Sequence, residues 1–166
     1  MFRSLARGCV AGAAGTTALN AVGYLDMALR GRSSSGAPQA VVDKITTKAG
    51  VPIPDGEERD NRLSALGALA GIGVAVGTGA VMSLLHRAGV RPHPCLGGVL
   101  TGALAMTLTD VPIAALDVSD PRTWSPADWA ADALPHLAYG LVTYGVITSA
   151  REPAAASGCG RHGRPG

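Results

Sequence analysis

Hydrophobic positions gather into four long runs separated by polar, turn-forming segments. Gly8–Leu25 holds 18 residues without a charge, Leu63–Leu85 holds 23, Cys95–Thr109 holds 15, and Ala133–Ala150 holds 18 with only His136 titratable. A helix of about 20 apolar residues crosses a hydrocarbon core of roughly 30 Å. Buried helices of water-soluble domains rarely go so long without a charge, because one face usually meets solvent. The third run reaches Leu116 if its helix continues past Asp110 and Pro112. The pattern predicts an all-α membrane protein, an up-down bundle of about four transmembrane helices forming a single domain over residues 1–150. The helices are expected near 5–29, 60–86, 95–116 and 126–150. The first run follows Arg3 and Arg7 and could also be read as a signal peptide. Asn20, the interrupting glycines and a poor cleavage zone at Asp26–Met27 favour a retained helix.

The connectors carry their own signals. In the long first connector, Pro38 suits the start of a helix, Val41, Ile45 and Ala49 fall on one face, and Gly50 with Pro52 and Pro54 ends it. A short amphipathic helix over 38–49 is predicted, lying on the membrane surface or packing on its own bundle. Before the last run, Ser125, Pro126 and Asp128 form an S-x-x-D capping box, flanked by Trp124 and Trp129 as a hydrophobic staple. Both rings also suit a headgroup boundary. The Gly-, Ala- and Pro-rich tail, 151–166, is expected to be disordered.

Composition agrees with the runs: charged residues are 16% and aromatics 4% of the chain. Cys9, Cys95 and Cys159 show no metal-binding spacing and read as unpaired thiols on a reducing side. In a four-helix topology, the two termini and the 86–94 turn share one side. That side holds seven basic residues and one acid, net +6, against seven basic and eleven acidic on the other, net −4. The 86–94 turn and the tail carry five of the basic residues and the 110–128 loop one, which places both termini in the cytoplasm. The acidic face could gather cations or simply be solvated.

Small residues recur four apart at Gly8 and Gly12, Gly67 and Gly71, Gly73 and Gly77, and Gly98 and Gly102. Helices in lipid associate where small residues let backbones approach, so these positions and Gly140 are expected to pack helices together or to join a second copy. The polar residues at membrane depth are Asn20, Asp26, Asp110, Asp132 and His136, all in the same half of an up-down bundle. Such groups face the bundle interior, a partner or water. They would form interhelical hydrogen bonds or, with His136 and Asp132 sharing charge, a proton relay or cation site. A single His is thin support for a transition metal, and no metal or cofactor is expected. The chain shows no nucleophile motif, phosphate loop, haem-attachment motif or nucleic-acid patch, so a membrane enzyme is the least favoured class.

The stretches GAAGTTALNAVGYLDMALRGR (Gly12–Arg32) and DPRTWSPADWAADALPHLAYG (Asp120–Gly140), with the segment around Asn61, Arg62, Leu63 and Gly67, cover under half of the chain. They resemble a group of small, uncharacterised four-helix membrane proteins of high-GC Gram-positive bacteria. The resemblance implies a multi-pass protein of the bacterial plasma membrane and brings no activity with it. The expected function is a structural or partner-binding membrane module, with the lipid bilayer and either a second copy or another membrane protein as partners. The alternative is a small proton- or cation-coupled transporter using the Asp/His cluster.

Overall fold

The computed structural model describes residues 1–149; Ala150 and the tail 151–166, whose disorder was expected, lie outside the described residues. Five α-helices follow one another: α1 (Phe2–Arg30), α2 (Ala37–Lys48), α3 (Arg59–Arg87), α4 (Pro94–Ala115) and α5 (Pro126–Ser149). A single 3₁₀ turn, Pro121–Thr123, precedes α5, and no strand occurs among the described residues. Each described boundary falls within three residues of the sequence expectation. The third run does continue through Pro112, which sits inside α4.

The helix ends follow from local chemistry. At the start of α5, the Asp128 N–H donates to Ser125 Oγ at 3.2 Å and the Ser125 N–H donates to Asp128 Oδ2 at 2.9 Å. Both arms of the capping box are therefore closed, and the Trp124 and Trp129 rings meet at 5.0 Å as a staple. α4 ends differently, at Asp117, the only non-glycine with positive φ among the described residues (52°). The Val118 N–H reaches back to Ile113 O and the Asp117 N–H to Ala114 O, a Schellman turn built without glycine. Lys44 Nζ holds it from outside, donating to Leu116 O at 2.5 Å and Asp117 O at 2.9 Å.

That contact decides between the two sequence readings of α2: it packs on its own bundle. Arg59 Nη2 on α3 donates to Asp43 Oδ1 at 2.6 Å, and Pro38 and Gln39 lie against Gly67 of α3. The helix docks through this flank, because the charged side chains find partners there. Of the predicted apolar face, Val41 is half-buried while Ile45 and Ala49 stay exposed. α2 thus straps α3 to the end of α4.

α1 is the hub. It packs along α3 on one side and α5 on the other, while α4 packs chiefly on α5. The consecutive helices α3 and α4 touch far less. Between them runs a shallow apolar cleft of about 420 Å³, with Gly73 and Gly77 among its lining residues and Leu104 and Leu108 on the α4 side. The tight pairs rest on glycine. A Cβ added to Gly12 would lie 2.6 Å from Ala75 O, and one added to Gly8 would lie 2.5 Å from Ala80 Cα. On the other pair, a Cβ on Gly102 would lie 2.5 Å from His136 O, and one on Gly140 would strike the backbone of Gly98 and Gly102. Four of the expected packing glycines, Gly8, Gly12, Gly98 and Gly102, therefore do this work together with Gly140. Gly67 packs instead on α2. Gly71, like Gly73 and Gly77, meets nothing within 4 Å and packs no helix of this chain.

Side-chain size is distributed inside out. Buried positions are dominated by Gly, Ala, Thr and Ser, joined by Tyr139, Tyr144, Ile147, Leu63 and Met82. Leu69, Ile72, Leu100, Leu108, Leu134 and Leu141 point outward. By length and composition, α3 and α4 are apolar enough to cross a membrane; α1, rich in Ala and Thr, and α5, with its acidic start, are not among the helices that meet that measure.

The packing makes two expectations testable by thermal unfolding in mild detergent. Gly140→Val should destabilise by about 1–3 kcal/mol through overpacking, whereas Gly77→Ala, facing open space, should be neutral or gain up to about 1 kcal/mol. Ser125→Ala should cost about 1 kcal/mol by opening the cap.

Candidate functional site

Three of the five polar residues read from sequence come together, where the end of α4 meets the second and third turns of α5. His136 follows Asp132 by one turn, so its ring folds back along α5: Nδ1 lies 2.9 Å from Asp132 O and 3.3 Å from Asp132 Oδ1. Its other nitrogen, Nε2, faces Thr109 Oγ1 on α4 at 3.5 Å, the outer limit of a hydrogen bond. The His136 side chain is only 12% exposed. Asp110, next to Thr109, brings its carboxyl beside that of Asp132. Asp132 Oδ2 is buried and receives no hydrogen bond.

Proton counting shows what this geometry permits. Nδ1 faces only acceptors, so it carries a hydrogen. The Thr109 hydroxyl has one proton and three nearby acceptors, Met106 O at 2.8 Å, Ala105 O at 3.3 Å and His136 Nε2. When Thr109 donates to Met106, its oxygen can accept from a protonated Nε2, and the ring is an imidazolium. When it turns to Nε2, the ring is neutral. Rotation of one hydroxyl therefore accommodates both charge states. Two carboxylates beside a neutral imidazole would leave two negative charges facing each other, with no Lys or Arg paired to either among the described residues.

The other two predicted residues lie elsewhere. Asn20 is exposed on α1 and makes no polar contact with the cluster. Asp26 is taken by its own chain: Arg30 Nε sits 2.8 Å from Oδ1 and Arg32 Nε 2.5 Å from Oδ2. Arg30 also reaches Ala127 O at 3.4 Å, tying the end of α1 to the start of α5. No group of His, Cys, Asp or Glu among the described residues has the arrangement of a metal site.

The sequence reading missed a polar core farther along α5. Tyr139, fully buried, donates its hydroxyl to Ala75 O on α3 at 2.6 Å. Thr78 and Thr143, 2% and 0% exposed, lie beside it. Towards the opposite end, Tyr144 Oη lies 3.4 Å from His86 Nδ1, with the rings edge to face at 6.0 Å. The available signal was the i, i+4 recurrence of Tyr139, Thr143 and Ile147 inside an otherwise apolar run. Comparison of the chain with family models, curated proteins and solved structures gives no match.

A pair of substitutions probes the cluster. His136→Leu leaves the Asp132 carboxylate with no donor and should lower stability by about 2 kcal/mol. His136→Gln keeps a donor and should lose less than half of that, read by denaturant unfolding of the detergent-solubilised protein.

Proposed function

We propose that the chain is a multi-pass integral protein of a bacterial plasma membrane, with α1, α3, α4 and α5 all crossing the bilayer, and that it serves as a structural or partner-binding module. The observation that carries this is the inverted placement of side chains. Small and hydroxyl-bearing residues fill the helix interfaces while Leu, Ile and Val face outward on several sides. Water would penalise that surface; lipid does not, and in lipid close backbone contact between small residues supplies the association. Support for α1 and α5 as spans comes from packing, since α1 packs on the more apolar α3 and α5 on the more apolar α4. Cleaving α1 as a signal peptide would remove the surface on which α3 and α5 rest. The resemblance to small membrane proteins of high-GC Gram-positive bacteria agrees with this location.

A partner-binding role is favoured by α3. From Ser64 to Gly73 every residue except Gly67 is exposed, and Gly71, Gly73 and Gly77 offer a face open to close approach. A second copy of the chain or another membrane helix fits that face. The proton-coupled transport reading rests on the Asp110–Asp132–His136 cluster and its two accessible charge states.

Orientation and span number are tested together in a background with Cys9, Cys95 and Cys159 replaced by Ala. Single cysteines at Gly56 and Ser119 should react alike with a membrane-impermeant maleimide on intact cells, and a cysteine at Gly89 should stay protected until lysis. Equal labelling of Ser119 and Gly89 would remove the four-span topology. The two functional readings separate on His136→Gln in proteoliposomes: a packing role leaves proton flux at the protein-free level in both forms, whereas a relay shows flux that the substitution abolishes.

A further inference from the structure

The two ends of the bundle treat their arginines differently. At the end where α2 lies, Arg30 and Arg32 pair with Asp26, Arg59 with Asp43 and Asp55, and Arg62 with Glu58. Lys44 is spent on the α4 carbonyls, which leaves Lys48 and Arg122 as the cations there without a carboxylate. The opposite end carries Arg3, Arg7, Arg87 and Arg91 and, among the described residues, no Asp or Glu. None of these four arginines pairs with a carboxylate among the described residues; Arg91 reaches only the backbone oxygen of His86, at 3.3 Å.

The fold brings the segments that carry these four arginines to one end of the bundle. Ser83 Oγ donates to Ser4 O at 2.8 Å, which ties the first turn of α1 to the last turns of α3. Gly8 against Gly79 and Ala80 holds the same two helix ends in backbone contact. Arg3 and Arg7 lie one turn apart on α1; Arg87 closes α3, and Arg91 sits in the turn that follows. The result is a basic rim at this end of the bundle, with Arg3 and Arg7 on the first two turns of α1 and Arg87 and Arg91 at and beyond the end of α3.

We propose that this rim is a docking surface for the phosphates of anionic phospholipid headgroups. The inference rests on the membrane reading above. Guanidinium groups match phosphate oxygens with paired donors, and basic residues next to a span are attracted to an anionic leaflet within about a Debye length. Because no carboxylate among the described residues pairs with these arginines, their charge is available to lipid. At the other end Arg30, Arg32, Arg59 and Arg62 are already paired with carboxylates of the protein and have little left to offer. The rim therefore selects the leaflet as well as the lipid, and it sets the end bearing the α1 start in the anionic, cytoplasmic leaflet.

The test uses the full chain reconstituted into vesicles of equal phosphatidylcholine and phosphatidylglycerol, then extracted in polymer-bounded discs for headgroup analysis. Phosphatidylglycerol should be enriched about twofold around the protein over the bulk bilayer, and the enrichment should vanish in about 1 M salt. It should be lost in the Arg3→Gln, Arg87→Gln, Arg91→Gln triple variant and kept in a Lys48→Gln, Arg122→Gln control. Should the triple variant not fold, the single Arg3→Gln and Arg87→Gln variants, both at exposed positions, should each show a partial loss. No enrichment by the parent chain, or enrichment that the arginine variants retain, overturns the proposal while leaving the membrane reading intact. A chain that does not float with the vesicles overturns the membrane reading, and the proposal falls with it.

Discussion

Backbone resting on backbone is the contact on which the bundle depends. Gly8 and Gly12 let α1 meet α3 at Gly79, Ala80 and Ala75; Gly98, Gly102 and Gly140 do the same for α4 and α5. Once helices approach this closely, little room remains between them for large side chains, and the leucines must go outside. The outward apolar surface is thus a direct result of the glycine contacts. The same closeness brings Tyr139 within reach of Ala75 O and His136 within reach of Thr109, so the polar contacts follow from the packing.

The helices were legible because their signals are local. A capping box, a charge-free run or a Gly–Pro stop acts within a few residues, and the boundaries agreed to within three positions. Which way a residue faces was less legible. Steps of four residues drift about 40° around a helix, since 3.6 residues make a turn. From Gly12 to Asn20 that drift reaches about 80°, enough to carry Asn20 off the contact face that runs through Gly8, Gly12, Gly15 and Leu19. Thr109, by contrast, comes seven residues after Gly102, a drift of only about 20°, so it stays on the α4–α5 contact, and Asp110 beside it reaches Asp132. Gly71 stays open for another reason. It shares a stripe with Gly67 and Ala75, but α2 covers the first and α1 the last, and the place between them is left open.

Ion pairs were legible only in part. Glu58 and Arg62, four apart, were visible in the sequence and pair at 2.7 Å. Asp26 was assigned to the interior cluster because its depth was right, whereas it is claimed by Arg30, the last residue of α1, and by Arg32 just past the helix end. Lys44 bonding to the carbonyls of Leu116 and Asp117, 72 and 73 residues away, had no sequence signature. It depends on α3 and α4 diverging enough for α2 to lie across their ends. A cluster that holds His136 between two carboxyls and a rotatable hydroxyl likewise needed α4 and α5 to meet in one register, which Gly140 against Gly98 and Gly102 sets.

The weak contact between α3 and α4, although they are neighbours in sequence, divides the molecule into two helical hairpins, α1 with α3 and α4 with α5. Each hairpin is closed by its own glycine seam, and the two meet along α1 and α5, an interface as extensive as those within the hairpins, with Gly15 of α1 against Tyr139 and Thr143 of α5. Synthesis from the N-terminus would deliver the first hairpin complete, with α2 folded onto its flank, before the second exists. The turn at residues 88–93 then behaves as a tether between two prefabricated halves rather than as part of either. Such a chain resembles a fused pair of two-helix subunits, and its assembly is a docking event that covalent continuity merely makes local.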